Sequence, residues 1–114
     1  MRIKHIVPAL AILPMLAGAA GAADAAKGEA DFKRCKACHA IIDAAGTAIQ
    51  KGGKTGPNLF GVIGRTAGSV EGFRYGTSLA AVAETGLTWD EENLAAYITD
   101  PKAWLAEVLG DSKV

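Results

Sequence analysis

Cys35-Lys36-Ala37-Cys38-His39 holds both cysteines of the 114-residue chain, and its histidine is the only one that follows His5. Cysteines three positions apart stand about one helical turn from each other, so the two thiols can add to the two vinyl groups of one porphyrin. The adjoining imidazole then meets the iron from one face. This makes His39 the candidate metal ligand and Cys35 and Cys38 the candidate covalent anchors of one haem c. Other readings fit the same residues less well. A disulfide would close a loop too short to restrain much of the unfolded chain. Zinc sites ordinarily take four ligands of Cys or His type, and beyond residue 23 the chain has only Cys35, Cys38 and His39. A redox dithiol belongs beside a strand-helix-strand pattern, and none is visible.

Outward from the motif, Ala30, Phe32 and Cys35 recur among charged neighbours and predict a helix over 27–37. On the other side, glycine stands at 46, 52, 53, 56, 61, 64, 68, 72 and 76, which predicts loop wrapped around a ligand over 43–77. Within it, Gly52-Gly53-Lys54-Thr55-Gly56 superficially suggests a phosphate loop. That spacing requires glycine at 48, where alanine stands, and no strand precedes it. Thr77 or Ser78 can cap a helix that Gly86 closes. Thr88-Trp89-Asp90-Glu91 reads as a capping box for a second helix, with Leu94, Tyr97 and Ile98 on one face. Asp100-Pro101 starts a third, carrying Trp104, Leu105, Val108 and Leu109 on one side and ending at Gly110. No alternating strand or internal repeat is visible, so the expected class is all-α, with short helices and long loops around one covalent haem.

Composition divides the chain in two. Half the residues are apolar, and 12 basic side chains balance 12 acidic ones, yet every acidic residue lies at or beyond Asp24 and residues 6–23 carry no charge. Arg2 and Lys4, then an apolar run, then small residues ending in Ala22-Ala23 are the three zones of a secretory signal, expected over 1–23. An uncleaved membrane anchor suits the segment less, because Pro8, Pro14 and the Gly/Ala tail weaken a spanning helix. The domain expected over 24–114 keeps ten of the 12 basic residues, losing Arg2 and Lys4, for a formal charge of −2. That excludes a basic nucleic-acid footprint, and the length excludes a multidomain enzyme. An apolar core of this size is marginal alone, so a cofactor at its centre would contribute much of the stability.

Beyond the motif, the order of features resembles the class I cytochromes c, most closely the bacterial cytochrome c2 type, over nearly all of residues 27–114. Gly28 and Phe32 match the glycine and aromatic that precede the haem motif in that family. Thr55-Gly56-Pro57-Asn58-Leu59 matches its Thr-Gly-Pro-Asn-Leu stretch, and the resemblance implies that the Pro57 carbonyl accepts a hydrogen bond from the His39 ring. It further implies that Arg65, in Gly64-Arg65-Thr66-Ala67-Gly68, lies near a haem propionate, and that Tyr75 and Trp89 hydrogen-bond propionate oxygens. Leu94, Tyr97, Ile98 and Pro101 fall where the family packs a helix against the haem. The chain departs from the family pattern in one respect. The family completes the iron with a methionine sulfur and follows it with a C-terminal helix, whereas here the only methionines are Met1 and Met15. The resemblance thus implies a C-terminally incomplete domain that lacks the ligand and the last helix. If residue 114 ended the protein, the alternative would be a five-coordinate haem that binds small ligands or acts as a weak peroxidase.

The function implied is that of a periplasmic, monomeric electron carrier rather than an enzyme. It would exchange single electrons with membrane redox complexes as transient donor and acceptor, with no stable membrane insertion after signal cleavage. Lys27, Lys33, Arg34, Lys36, Lys51 and Lys54 surround the attachment motif, while Glu84, Asp90, Glu91, Glu92, Asp100 and Glu107 come later. Such an asymmetry gives a near-neutral molecule a dipole able to steer its encounters.

Overall fold

The computed structural model describes residues 24–114, together with Pro8 and Ala9, so the expected signal segment lies outside the described residues. In chain order the elements are α1 (Ala25–Asp31) running into a 3-10 turn (Phe32–Arg34), β1 (Ile41–Ile42), β2 (Ala48–Gln50), α2 (Thr77–Glu84), α3 (Glu91–Thr99) and α4 (Pro101–Leu109). Short helices and long loops are as expected, with one small hairpin added.

The helix expected over 27–37 is shorter. Asp24 caps α1 by accepting from the Lys27 amide at 3.0 Å. The chain then tightens, the Phe32 carbonyl taking the amides of both Cys35 and Lys36 at 2.8 and 3.2 Å. The hairpin turns on Asp43, whose Oδ1 accepts from the amides of Ala45 and Thr47 at 3.0 and 2.9 Å. Its antiparallel pairing of Ile41 with Gln50 and Ile42 with Ala48 contains an irregularity, and strands this short leave no alternation to read.

Helix α2 begins after Gly76 with no side-chain cap, so neither Thr77 nor Ser78 serves as one. The capping box of α3 lies two residues beyond the expected position. The Asn93 amide donates to Asp90 Oδ1 at 2.7 Å, and the Asp90 amide donates to Asn93 Oδ1 at 2.9 Å. Thr88 stands two residues upstream of that cap, its backbone bridging Thr66 and its carbonyl accepting from Asn93 Nδ2 at 2.9 Å. Helix α4 starts as expected, with Asp100 accepting from the Ala103 amide at 3.0 Å and Pro101 in the first turn. It ends at Gly110 with φ of 62°, a left-handed conformation that favours glycine.

The core lies where α2, α3 and α4 meet the loop over 62–67. Val82, Trp89, Trp104 and Ala67 are buried, ringed by Leu79, Leu87, Leu94, Tyr97, Leu105 and Val108 among others. Trp89 and Trp104 stack with ring centres 5.2 Å apart, and Tyr97 sits against both at 5.2 and 5.4 Å. Ile98 departs from the expected stripe: it is 68% exposed, while Leu94 and Tyr97 face the core. Residues 64–67 are tied to 87–89 by Gly64 N–H to Trp89 O at 2.6 Å, Trp89 N–H to Arg65 O at 2.9 Å and Ala67 N–H to Leu87 O at 2.8 Å. Among the described residues no helix is long and apolar enough to cross a membrane.

Candidate functional site

Cys35 and Cys38 lie in the turn after α1, both exposed and not bonded to each other. His39 follows, half-buried, with its Nδ1 2.7 Å from the Pro57 carbonyl oxygen. A carbonyl only accepts, so Nδ1 carries the proton and Nε2 keeps its lone pair, the tautomer a metal requires.

The segment over 52–59 binds the motif as a strap. Amides of Gly53, Gly56 and Leu59 donate to the carbonyls of Lys36, Cys38 and Ala40 at 2.9, 2.8 and 3.1 Å. The approach is so close that side chains are excluded. A Cβ at Gly52 would meet the His39 carbonyl oxygen, and one at Gly53 would lie 2.9 Å from the Ala37 carbonyl carbon. At Gly56 it would lie 2.6 and 2.7 Å from the two nitrogens of the His39 ring. The glycines that superficially suggest a phosphate loop therefore let one backbone lie against another.

Asn58, unremarked in the sequence beyond its place in the matched stretch, closes the strap. Its Oδ1 accepts from the Ile42 amide at 2.9 Å and its Nδ2 donates to the Ile42 carbonyl at 2.8 Å. Arg65 is half-buried, and its Nη1 donates to the Asn58 carbonyl at 2.8 Å. It thus joins the strap to the core, since the Arg65 carbonyl itself receives the Trp89 amide at 2.9 Å. Tyr75 turns its hydroxyl to the Val70 amide, accepting at 2.9 Å, and its ring meets Phe73 edge-on at 4.8 Å. Of the expected site residues, the structure brings Cys35, Cys38, His39 and Pro57 into one cluster. Arg65, Trp89 and Tyr97 form a second, reached through Asn58, and Tyr75 closes its own loop.

Burial raises the pKa of the Tyr97 phenol above its ordinary value near 10, through desolvation of the phenolate. The folded state therefore holds this proton at a pH where the unfolded chain has released it. The contribution is complete below about pH 10 and is lost as the pH rises through the folded-state value. Unfolding midpoints in urea are expected to fall above pH 10, and Tyr97→Phe is expected to flatten that fall. An equally steep fall in the variant would assign the effect elsewhere.

The donor set fits a porphyrin better than a bare ion. Among the described residues no group of three His, Cys, Asp or Glu side chains could hold a metal by itself. His39 offers one nitrogen, so an ion bound there has to bring most of its ligands with it. Two accessible thiols beside that nitrogen suit a ring that is covalently attached.

No protein-family model matches the chain. Individual proteins do. The cytochrome c2 of Rhodobacter capsulatus is 50% identical over 113 residues, covering 99% of this chain and 82% of that protein. The cytochrome c-550 of Paracoccus denitrificans is 51% identical over 113 residues, 97% of this chain and 73% of its own length. Among solved structures, cytochrome c2 from Rhodobacter capsulatus superposes with a TM-score of 0.78 at 54% identity, covering 80% of this chain and 78% of that one.

Proposed function

This chain belongs to the cytochrome c2 family of class I cytochromes c, haem c electron-transfer proteins, and from that premise we propose that it is a periplasmic carrier shuttling single electrons between membrane redox complexes. Its cofactor is one covalent haem c. Bound haem c supplies the one-electron ferric/ferrous couple. Cys35 and Cys38 would hold it covalently as thioethers, a redox-neutral attachment that calls for no oxidant. His39 would hold the iron through Nε2, the nitrogen left free by the Pro57 contact. The observation that carries this reading is the Nδ1 contact with Pro57 at 2.7 Å, which fixes the ring and raises its donor strength.

Arg65, Tyr75 and Trp89 would supply donors to the haem's propionates, and Tyr97 would pack against the haem. Arg65 has donors beyond the one spent on Asn58, Tyr75 keeps its hydroxyl proton while accepting from Val70, and Trp89 offers an indole N–H. Ile98, exposed beside Tyr97 in sequence, is an apolar side chain suited to covering a porphyrin face.

Residues 1–23 act as the export signal and 24–114 as the cytochrome domain. Intact mass of protein recovered from the periplasm tests this directly. The expected species begins near Asp24 and is heavier by one complete haem, with no hydrogens lost. A retained signal, or a polypeptide without haem, would overturn the reading.

Lys27, Lys33, Arg34, Lys36, Lys51 and Lys54 are all exposed, and they favour docking of an acidic partner surface around the attachment motif. Electron transfer with a membrane redox complex is expected to slow several-fold as ionic strength rises from about 0.01 M to 0.15 M, where the screening length contracts from about 30 to 8 Å. Stopped-flow rates that ignore salt would remove this patch from the docking step.

A further inference from the structure

We propose that Asn58 is a positioning residue for the iron ligand: its side chain fixes the peptide plane that carries the Pro57 carbonyl, and through that carbonyl the donor strength of His39. The inference rests on His39 being the axial ligand, as argued above.

The Pro57 carbonyl and the Asn58 amide belong to one rigid peptide unit. The pyrrolidine ring fixes φ of Pro57, so the direction of that carbonyl is left to two rotations, ψ of Pro57 and φ of Asn58. Asn58 is held on every side that bears on them. Oδ1 accepts from the Ile42 amide at 2.9 Å and from the Phe60 amide at 3.1 Å, Nδ2 donates to the Ile42 carbonyl at 2.8 Å, and the backbone carbonyl accepts from Arg65 Nη1 at 2.8 Å.

The pairing with Ile42 uses a donor and an acceptor on one planar group, as a neighbouring strand would. An amide provides both, while a carboxylate lacks the donor and an aliphatic side chain lacks each. Packing does not do the same work. A solvent-open hollow of about 270 Å³ borders Ile42, Pro57 and Asn58, so on that side hydrogen bonds rather than enclosing side chains hold the peptide. A carbonyl turned from the ring weakens the Nδ1 hydrogen bond, makes the imidazole a poorer donor and favours the ferrous state.

The experiment compares haem-loaded wild type with Asn58→Ala, Asn58→Ser and Asn93→Ala. Asn93 is the matched control, because its amide also accepts from one backbone group and donates to another, at Asp90 and Thr88, on the first turn of α3. Two quantities are read: the ferric-to-ferrous ratio at one fixed mediator potential, and the exchange rate of the His39 ring N–H by NMR. In Asn58→Ala the ratio is expected to shift at least threefold toward ferrous and the ring proton to exchange at least tenfold faster. Asn58→Ser, whose hydroxyl can keep one contact, is expected to fall between. It carries the test if the alanine variant does not load haem. Asn93→Ala is expected to unfold earlier with both readouts unchanged.

An unmoved ratio and exchange rate in both Asn58 variants would overturn the proposal, as would equal shifts in Asn93→Ala. Failure of the underlying reading looks different: wild type itself would then lack covalent haem, or would show no His39 ligation.

Discussion

Substituting alanine for Gly56 is expected to reduce haem-loaded protein to a small fraction of the wild-type yield and to lower unfolding free energy by about 3–5 kcal/mol. The added Cβ would lie 2.6 Å from Nε2 and 2.7 Å from Nδ1 of His39, well inside contact distance. Neither neighbour can easily give way. The ring is tethered to Pro57 at 2.7 Å, and the strap is tethered at the same residue by Gly56 N–H to the Cys38 carbonyl at 2.8 Å. Relief therefore breaks one of the two bonds that orient His39. A suitable comparison is Gly76→Ala, where a Cβ meets nothing within 4 Å and only the α2 cap changes. That variant is expected to cost at most about 1 kcal/mol and to load haem normally. Denaturant unfolding and haem content per polypeptide check both, and near-equal results for the two glycines would refute the close-approach argument.

Truncating Trp104 is the other large effect. Its side chain is 8% exposed and stacks on Trp89 at 5.2 Å while Tyr97 meets it edge-on at 5.4 Å, so this one indole joins α4 to the middle of the core. Removing a buried aromatic costs about 3–5 kcal/mol, a large share of the roughly 5–15 kcal/mol that holds a domain folded. Trp104→Ala is expected to lower the unfolding midpoint sharply and to flatten the near-ultraviolet dichroism of the aromatic cluster. Trp104→Phe keeps a ring in the stack and is expected to lose less than half as much. If the two variants lose the same, the stack is not what binds α4 to the core.

Most of the helical framework could be read from caps and periodicity because those signals are local. Asp100-Pro101 and Gly110 mark α4 by the backbone groups they satisfy or the φ they permit, whatever packs nearby. Several of the readings that needed correction depended on partners far along the chain. Thr88 looks like a cap, whereas its backbone bridges Thr66, and β1 and β2 are too short to have a pattern before they pair. Ile98 shares a helical face with Leu94 and Tyr97 in projection, yet which edge of that face meets the core is decided by where α4 lies. In the site, the Cys-x-x-Cys-His spacing was legible because the chemistry requires it. The roles of Gly52, Gly53 and Asn58 were not, since closeness of two backbones and a side chain pairing with a strand edge leave only a glycine cluster and an ordinary asparagine in the sequence.

The strap also bears on the order in which the molecule comes together. The contacts that orient His39 span short stretches of chain: 18 residues from His39 to Pro57 and 16 from Ile42 to Asn58. Closing loops of that length costs little entropy, and contacts of short range form early. The attachment motif and the loop that shapes it therefore make a local unit upstream of α2, α3 and α4, joined to the core through Arg65. In a polypeptide made amino end first, this unit is complete while the helices of the core are still to come, so the thiols and the imidazole can be arranged before there is a core to enclose them.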